Sequence, residues 1–167
     1  MAVTVPNQWS ITFSQPTSFG TTPPALESAV VALTPANSVG GGTGTPSAGN
    51  WLVVFAGINE SAATAGFTVA VADDIHSYWR PAKISTGTAL TRTTVWYTAN
   101  TALAAGNVYV APSGCLDALS VLVLEVAGLG PWDTVTGTAA NYAAAATTLN
   151  LALGAPAASS AVLAAVC

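Results

Sequence analysis

Apolar and polar residues alternate along the first clear element of the chain. Trp9, Ile11 and Phe13 are separated by single serine and threonine residues. A period of two is typical of a β-strand that buries one face and exposes the other. The sequence therefore predicts a half-buried strand close to the N-terminus.

A succession of short apolar runs occupies the middle of the chain. Turn-forming glycine, proline and asparagine residues, including Pro81, separate these runs. Short strands at this spacing are typical of a β-sandwich or barrel, and little of the sequence suits a helix. We therefore predict an all-β fold. The apolar runs are Ala29 to Thr34, Trp51 to Gly57, Phe67 to Ala72, Arg92 to Thr98, Asn107 to Ala111 and Ala118 to Ala127.

The last of these runs is nearly continuous in valine and leucine from Ser120 to Ala127. Such a run predicts a central strand that is covered on both faces. Glu125 interrupts it, and a lone carboxylate there could be a catalytic acid. We favour a position on the wetter face near the strand end, because carboxylates are rarely buried without a partner.

Two segments near the N-terminus look like connections. Several proline and glycine residues between positions 16 and 24 prevent regular structure, so we assign residues 1–28 to an extended N-terminal arm and residues 29–167 to the sandwich. The run Gly40-Gly-Gly-Thr-Gly lacks the Gly-Lys-Ser/Thr ending of a phosphate loop, which favours a hinge. Flexible connections of this kind would let the first strand add to, or exchange with, a strand of a neighbouring subunit.

The C-terminal region alternates again from Thr147 to Leu153, and a further apolar run extends from Ser160 to Cys167. Natural domains usually cover or charge an unpaired strand edge. We therefore expect that the sandwich is the ordered part of a longer chain, or that a neighbouring subunit completes its sheet.

Charged residues are scarce. They make up 6% of the chain, against roughly a quarter in ordinary soluble domains, whereas 51% of the residues are apolar. The seven acidic and three basic residues form no basic face, which argues against nucleic acid and anionic membranes as partners. No apolar run approaches the roughly 20 residues of a spanning helix. The scarcity of charge predicts a surface that is permanently covered by other polypeptides.

Neither the N-terminal segment nor the two cysteines suggest export, redox chemistry or metal binding. The N-terminus has no basic segment followed by an apolar core, so we expect synthesis in a cytoplasm. Cys115 and Cys167 are too few for a disulfide framework and are expected to be free thiols. Neither cysteine has a second ligand at metal-binding spacing, and we predict no metal and no cofactor.

The segment with the most varied chemistry contains Asp73, Asp74 and His76. In an extended strand, Asp74 and His76 share a face, so the carboxylate could orient the imidazole for base catalysis or contribute to a cation site. The segment lacks the signature of a nucleophile and further ligands at metal-loop spacing. We favour aspartates that accept hydrogen bonds in a turn, with Tyr78 and Trp79 packed beside them. No catalytic residue is assigned.

Carbohydrate recognition is the main functional alternative, because sugar rings stack on exposed aromatic side chains. Trp79 and Trp132 lie beside prolines in predicted loops and are the better candidates for contacting a glycan. Packing over a turn is still the favoured role, since aromatic side chains are mostly buried. We expect Trp51, Trp96 and Tyr109, which lie in strand-like runs, to pack in the core.

Four strings of residues resemble minor tail proteins of bacteriophages that infect actinobacteria, from about Ala29 to the end of the chain. Three shorter strings, Ala48-Gly-Asn-Trp-Leu-Val, Val71-Ala-Asp-Asp and Val95-Trp-Tyr, are similar to β-sandwich modules of secreted bacterial proteins, which implies a jelly roll. The strings that carry the first resemblance are Thr34-Pro-Ala-Asn-Ser-Val-Gly-Gly-Gly-Thr-Gly-Thr-Pro-Ser-Ala-Gly-Asn-Trp-Leu-Val-Val, Val71-Ala-Asp-Asp-Ile-His-Ser-Tyr-Trp-Arg-Pro, Val110-Ala-Pro-Ser-Gly and Glu125-Val-Ala-Gly-Leu-Gly-Pro-Trp-Asp.

Together, the resemblance and the scarcity of charge predict a jelly-roll-like antiparallel β-sandwich that serves as a nonenzymatic component of the virion tail. Its expected partners are copies of itself and other tail proteins, with host cell-wall glycan as an alternative. Trp9, Ile11 and Phe13 are the predicted attachment residues of the arm. The open alternatives are a capsid decoration protein, a glycan-binding module, and a glycan hydrolase that uses Glu125 or Asp74.

Overall fold

A computed structural model describes residues 3–14, 29–40, 44–59, 69–75, 80–84, 91–98, 106–112 and 118–130. These residues form eight β-strands and one short 3₁₀ helix, Pro35–Asn37. None of them forms a helix with the length and apolarity needed to cross a membrane. The strands are β1 (Thr4–Ser14), β2 (Ala29–Ala32), β3 (Trp51–Asn59), β4 (Val69–Asp73), β5 (Arg80–Ile84), β6 (Thr91–Thr98), β7 (Asn107–Pro112) and β8 (Ala118–Ala127).

The strands form two sheets in which every pair is antiparallel. The larger sheet has the order β1-β8-β3-β6-β5, and the smaller sheet has the order β2-β7-β4. Most neighbours in these sheets are distant in the sequence. The prediction of an all-β, antiparallel sandwich is confirmed.

Apolar side chains cover both faces of the larger sheet. Alternate residues of a strand point to opposite faces, and both β3 and β8 contribute to two separate clusters. The nearly continuous apolar run of β8 is therefore a central strand buried on both faces, as predicted. The core between the sheets contains Trp9, Ala29, Val31, Leu33, Leu52, Val54, Ala56, Val71, Val108, Val110, Leu119, Val121 and Val123, and the cluster on the other face contains Trp51, Val53, Phe55, Tyr97, Leu124 and Val126.

β1 is an edge strand of the larger sheet and pairs with β8 over Asn7–Ser14. Trp9 is fully buried in the core between the sheets, whereas Ser10 and Thr12 are exposed. This is the predicted half-buried strand. The sequence-based boundary at residue 28 therefore does not separate β1 from the sandwich, although residues 15–28 themselves lie outside the described residues.

β5 is the opposite edge of the larger sheet, and the sequence pattern did not predict it. Pro81 had been expected in a turn, but it lies within β5 and pairs with Trp96. Proline has no N–H for a ladder hydrogen bond and is tolerated on an edge strand. The register shifts between Pro81 and Lys83, so β5 combines a bulge, a proline and a lysine. These features protect a sheet edge from further pairing.

Candidate functional site

Glu125 is fully buried, although it carries a carboxyl group. In β8 it lies on the same face as Val121 and Val123, which belong to the core between the sheets. The prediction that Glu125 lies on the wetter face of its strand is therefore wrong. Its hydrogen-bond partners come from β1 and from the loop before β3. The sequence of β8 alone therefore could not predict them.

Three N–H groups donate hydrogen bonds to the Glu125 carboxylate. Asn7 Nδ2 donates to Oε2 at 2.6 Å, and Oε1 accepts from the Ser47 backbone N–H at 2.7 Å and from Asn50 Nδ2 at 2.6 Å. These lengths are typical of hydrogen bonds to a charged acceptor. Both carboxylate oxygens are engaged by donors, so the buried group is well compensated.

The loop of residues 44–50 is also fastened to β1. The Gly44 N–H donates to Asn7 Oδ1 at 3.1 Å, and the Gly44 carbonyl accepts from Trp9 Nε1 at 3.3 Å. Asn7 Nδ2 makes a second bond, to the Thr45 carbonyl at 3.1 Å. Asn7 and Trp9 are two residues apart and therefore share one face of β1. We call this set of residues the Glu125 network: Asn7, Trp9, Gly44, Thr45, Ser47, Asn50 and Glu125.

Gly44 is a tightly packed residue of this network. It is buried and has a φ of +77°, in the left-handed region that favours glycine. A Cβ atom at this position would collide with the backbone of Pro35, whose nitrogen would lie only 2.7 Å away. The predicted hinge is therefore wrong at Gly44, while residues 41–43 lie outside the described residues.

The hydrogen bonds of Glu125 hold segments of the protein's own chain in place rather than a substrate. A general acid must come within hydrogen-bond distance of the group that it protonates. The Glu125 side chain has no exposed surface, and its oxygens already accept three hydrogen bonds. We therefore assign Glu125 to the support of β1 and of the loop that leads into β3.

Asp73 and Asp74 end β4 and enter a turn. Asp73 Oδ1 accepts the Ile75 backbone N–H at 2.7 Å, which is the hydrogen bond of an Asx turn. The favoured turn role is confirmed for Asp73. His76, Tyr78 and Trp79 lie outside the described residues. Among the residues that are described, no group of three or more His, Cys, Asp or Glu residues could hold a metal ion.

Asp74 connects the end of β4 to the start of β7. Its Oδ2 accepts the backbone N–H groups of Gly106 and Asn107 at 3.1 and 2.8 Å, and its Oδ1 accepts the Tyr109 hydroxyl at 2.6 Å. The Tyr109 hydrogen bond is the main cause of a lowered pKa at Asp74, and the Asn107 N–H adds to it. The same bond raises the pKa of Tyr109 above its ordinary value.

Two of the three predicted attachment residues, Trp9 and Ile11, face the protein's own core. Trp9 belongs to that core, and Ile11 is half-buried against it. The backbone of Phe13 pairs with Leu119, but the Phe13 side chain is outside the described part. Their role in attachment to a partner stays a prediction.

The two residues predicted to contact glycan, Trp79 and Trp132, lie outside the described residues, as do Cys115 and Cys167. Trp51 is buried and stacks on Tyr97, with ring centroids 5.6 Å apart and an interplanar angle of 7°. The prediction of packing in the interior is therefore confirmed for Trp51, and Trp96 is partly buried against the core. It is wrong for Tyr109, which is only half-buried and bonds the exposed Asp74.

The smaller sheet presents one face away from the core, and sequence reasoning missed it. Tyr109 pairs with Val30 on one side and with Ala72 on the other, so the three residues form a row across this face. Val30 is 41% exposed, and Ala70 is also exposed. Most of its residues are small or apolar and none carries a formal charge, but the Asp74 carboxylate borders the face, where it accepts hydrogen bonds from the Tyr109 hydroxyl and from Asn107 Nδ2. We call it the outer face: Val30, Ala32, Ala70, Ala72, Asn107, Tyr109 and Ala111.

The fold alone does not reveal what the protein does, because β-sandwiches support many unrelated functions. A functional proposal therefore depends on the chain's own residues. No protein-family model matches the chain, and comparisons with curated proteins and with solved structures give no match.

Proposed function

We propose that this chain is a nonenzymatic structural component of a bacteriophage virion, a minor tail protein at the distal tail. It acts by permanent assembly with copies of itself and with other tail proteins. The uncharged outer face of the smaller sheet is the observation that carries this proposal. The resemblance to minor tail proteins supports the location in the tail.

Desolvation explains why an uncharged face favours permanent contact. Soluble monomers usually place charged residues at about 25–35% of their surface positions, whereas this chain has 6% charged residues in total. Burying the alanine and valine side chains of the outer face removes no charge from water and gains about 25 cal/mol per Å² of apolar surface. The outer face is therefore suited to contact with another polypeptide.

The outer face is too small to form a stable interface by itself. Three strands at about 4.8 Å spacing and about 17 Å length cover roughly 240 Å². A stable interface buries about 800 Å² on each partner. The outer face is thus one part of a larger contact surface, and the predicted attachment strand β1 is the second element.

Native mass spectrometry of the purified chain tests the assembly. We expect a defined oligomer that Ala70→Lys weakens, because a lysine on the outer face would have to be desolvated. Ala36→Lys is the matched control, since Ala36 is also exposed but lies outside the outer face. A wild-type chain that stays monomeric at all concentrations tested would contradict the proposal, as would equal effects of the two substitutions.

The position in the particle is tested separately by labelling the chain in intact virions and locating the label by electron microscopy. Label at the distal tail is the expected result. Label distributed over the capsid would identify a decoration protein instead and would overturn the assignment to the tail.

A further inference from the structure

β1 is a separable unit of the larger sheet. As an edge strand it pairs with β8 alone among the named strands, so its removal leaves the pairs β8-β3, β3-β6 and β6-β5 intact. Its remaining contacts include the side chains of Asn7 and Trp9 in the Glu125 network and a backbone bond from the Val39 N–H to the Gln8 carbonyl at 2.8 Å. Each of these contacts joins β1 to the rest of the sandwich without requiring that both belong to one copy.

The covalent connection is long enough for an exchange. Residues 15–28 join β1 to β2 and could extend to about 46–50 Å. Packed sheets are about 10 Å apart, and β1 and β2 contact each other directly. Connections in compact domains usually take about four to six residues. The connection between β1 and β2 is therefore longer than their packing within one copy requires, which leaves length for an exchange.

The Glu125 network restricts which strand can occupy the β1 position. Asn7 lies directly opposite Glu125 in the ladder. A strand without an amide at this register would leave one oxygen of the buried carboxylate without its donor. It would also need an indole two residues later to reach the Gly44 carbonyl. A second copy of this chain supplies both groups at the required spacing.

From these contacts we infer that β1 is exchanged between copies of this chain, and that Asn7 and Trp9 of one copy complete the Glu125 network of the next. The inference rests on the proposed assembly function and identifies its partner as a second copy. The exchanged and unexchanged arrangements contain the same contacts between β1 and the sandwich, as in other domain-swapped oligomers. Neighbours held together by the assembly raise the local concentration of the incoming strand.

Disulfide trapping between two differently labelled copies tests the exchange. Ser10 and Leu122 are opposite each other in β1 and β8. Opposite Cα atoms in antiparallel strands are about 4.5–5.5 Å apart, within the range of a disulfide. One copy carries Ser10→Cys and the other Leu122→Cys, both in a background with Cys115→Ser and Cys167→Ser. The copies are coexpressed and oxidised with oxidised glutathione.

A matched control uses the same acceptor copy with a strand that is not exchanged. Phe55 in β3 lies opposite Leu122 on the other side of β8. A copy with Phe55→Cys should not form a disulfide with the Leu122→Cys copy. We expect a disulfide-linked heterodimer, resolved by tagging one copy, for the Ser10 pair alone. Adding Asn7→Ala to the Ser10→Cys copy should lower the yield of the disulfide-linked heterodimer several-fold.

The outcomes separate this inference from the proposed function. An oligomer by native mass spectrometry without the Ser10 heterodimer would overturn strand exchange and leave assembly intact. A monomeric chain would overturn both. Equal heterodimer yields for the Ser10 and Phe55 pairs would indicate nonspecific oxidation and would also overturn the exchange. An unchanged yield with Asn7→Ala would remove the selective role of the Glu125 network.

Discussion

Replacing Glu125 by glutamine alters the Glu125 network with almost no change in volume. The glutamine Oε1 can still accept from Ser47 and Asn50, but its Nε2 then faces the Asn7 amide, so two donors meet. Rotating the Asn7 amide gives no relief, because Asn7 Oδ1 accepts the Gly44 N–H. Losing a hydrogen bond to a charged group costs about 1.5–3 kcal/mol, and an unsatisfied buried donor adds about 1–3 kcal/mol. We expect the free energy of unfolding to fall by about 3–5 kcal/mol, similar to the loss of one partner of a buried pair.

Thermal unfolding followed by circular dichroism measures this effect. A domain of this size loses about 2–4 °C in Tm per kcal/mol, which predicts a decrease of about 6–20 °C for Glu125→Gln. Asp74→Asn is the matched control, because the Asp74 carboxylate also accepts several hydrogen bonds but is exposed, where water can replace a lost partner. We expect a much smaller decrease there. Equal decreases for the two variants, or an unchanged Tm for Glu125→Gln, would refute this account of the buried carboxylate.

Three further predictions concern the same surroundings. Gly44→Ala should destabilise the protein more than Gly40→Ala in urea unfolding: both positions have positive φ, with strain of about 1–2 kcal/mol, but only at Gly44 does the new Cβ meet backbone. Equal losses would contradict the described packing. Trp9→Ala should lower the free energy of unfolding by about 3–5 kcal/mol, as for other buried aromatics, and a loss below about 1 kcal/mol would show that β1 is not docked in the core. Because the folded-state pKa of Asp74 is lowered, its hydrogen bonds stabilise the fold above the ordinary carboxyl pKa and are lost as pH falls through the lowered value. The NMR shift of the Asn107 amide should therefore titrate below pH 3.8, and a midpoint at or above that value would contradict the geometry.

Local patterns of apolar and polar residues were sufficient to predict most of the strands. Alternation around Trp9 predicted β1, because its polar partners Ser10 and Thr12 face solvent. The continuous run in β8 predicted a strand buried on both faces. The pattern placed β4 at 67–72 rather than Val69–Asp73, a shift of one or two residues at each end. Periodicity reports the environment of each side chain along a single strand, so these features could be read without knowledge of the neighbours.

Features that depend on distant partners could not be predicted in this way. Asn7 and Glu125 are 118 positions apart, and nothing near either residue in the sequence indicates the other. Gly44 is held by a contact with Pro35 and by bonds to β1, so a glycine-rich run that looks flexible contains a fixed residue. Pro81 was read as a turn because its place at a sheet edge depends on the order of the whole sheet. The outer face also requires the pairing of three strands that are separated in the sequence.

The presence of a buried carboxylate in the Glu125 network is better explained by a role in fixing the register of β1 against β8 than by a contribution to stability. Buried ionic groups can often be replaced by apolar residues without loss of stability, and fixing register is their best-attested role. Sliding β1 by one residue would turn Trp9 out of the core, so the alternating pattern excludes that slip. A slip of two residues keeps every side chain on the same face of the sheet, so the alternation of apolar and polar residues does not exclude it. It would place Val5 or Trp9 opposite Glu125 and remove the amide donor that Asn7 supplies. The carboxylate therefore disfavours the two-residue slips that alternation alone does not exclude, whether β1 comes from the same copy or from a second one.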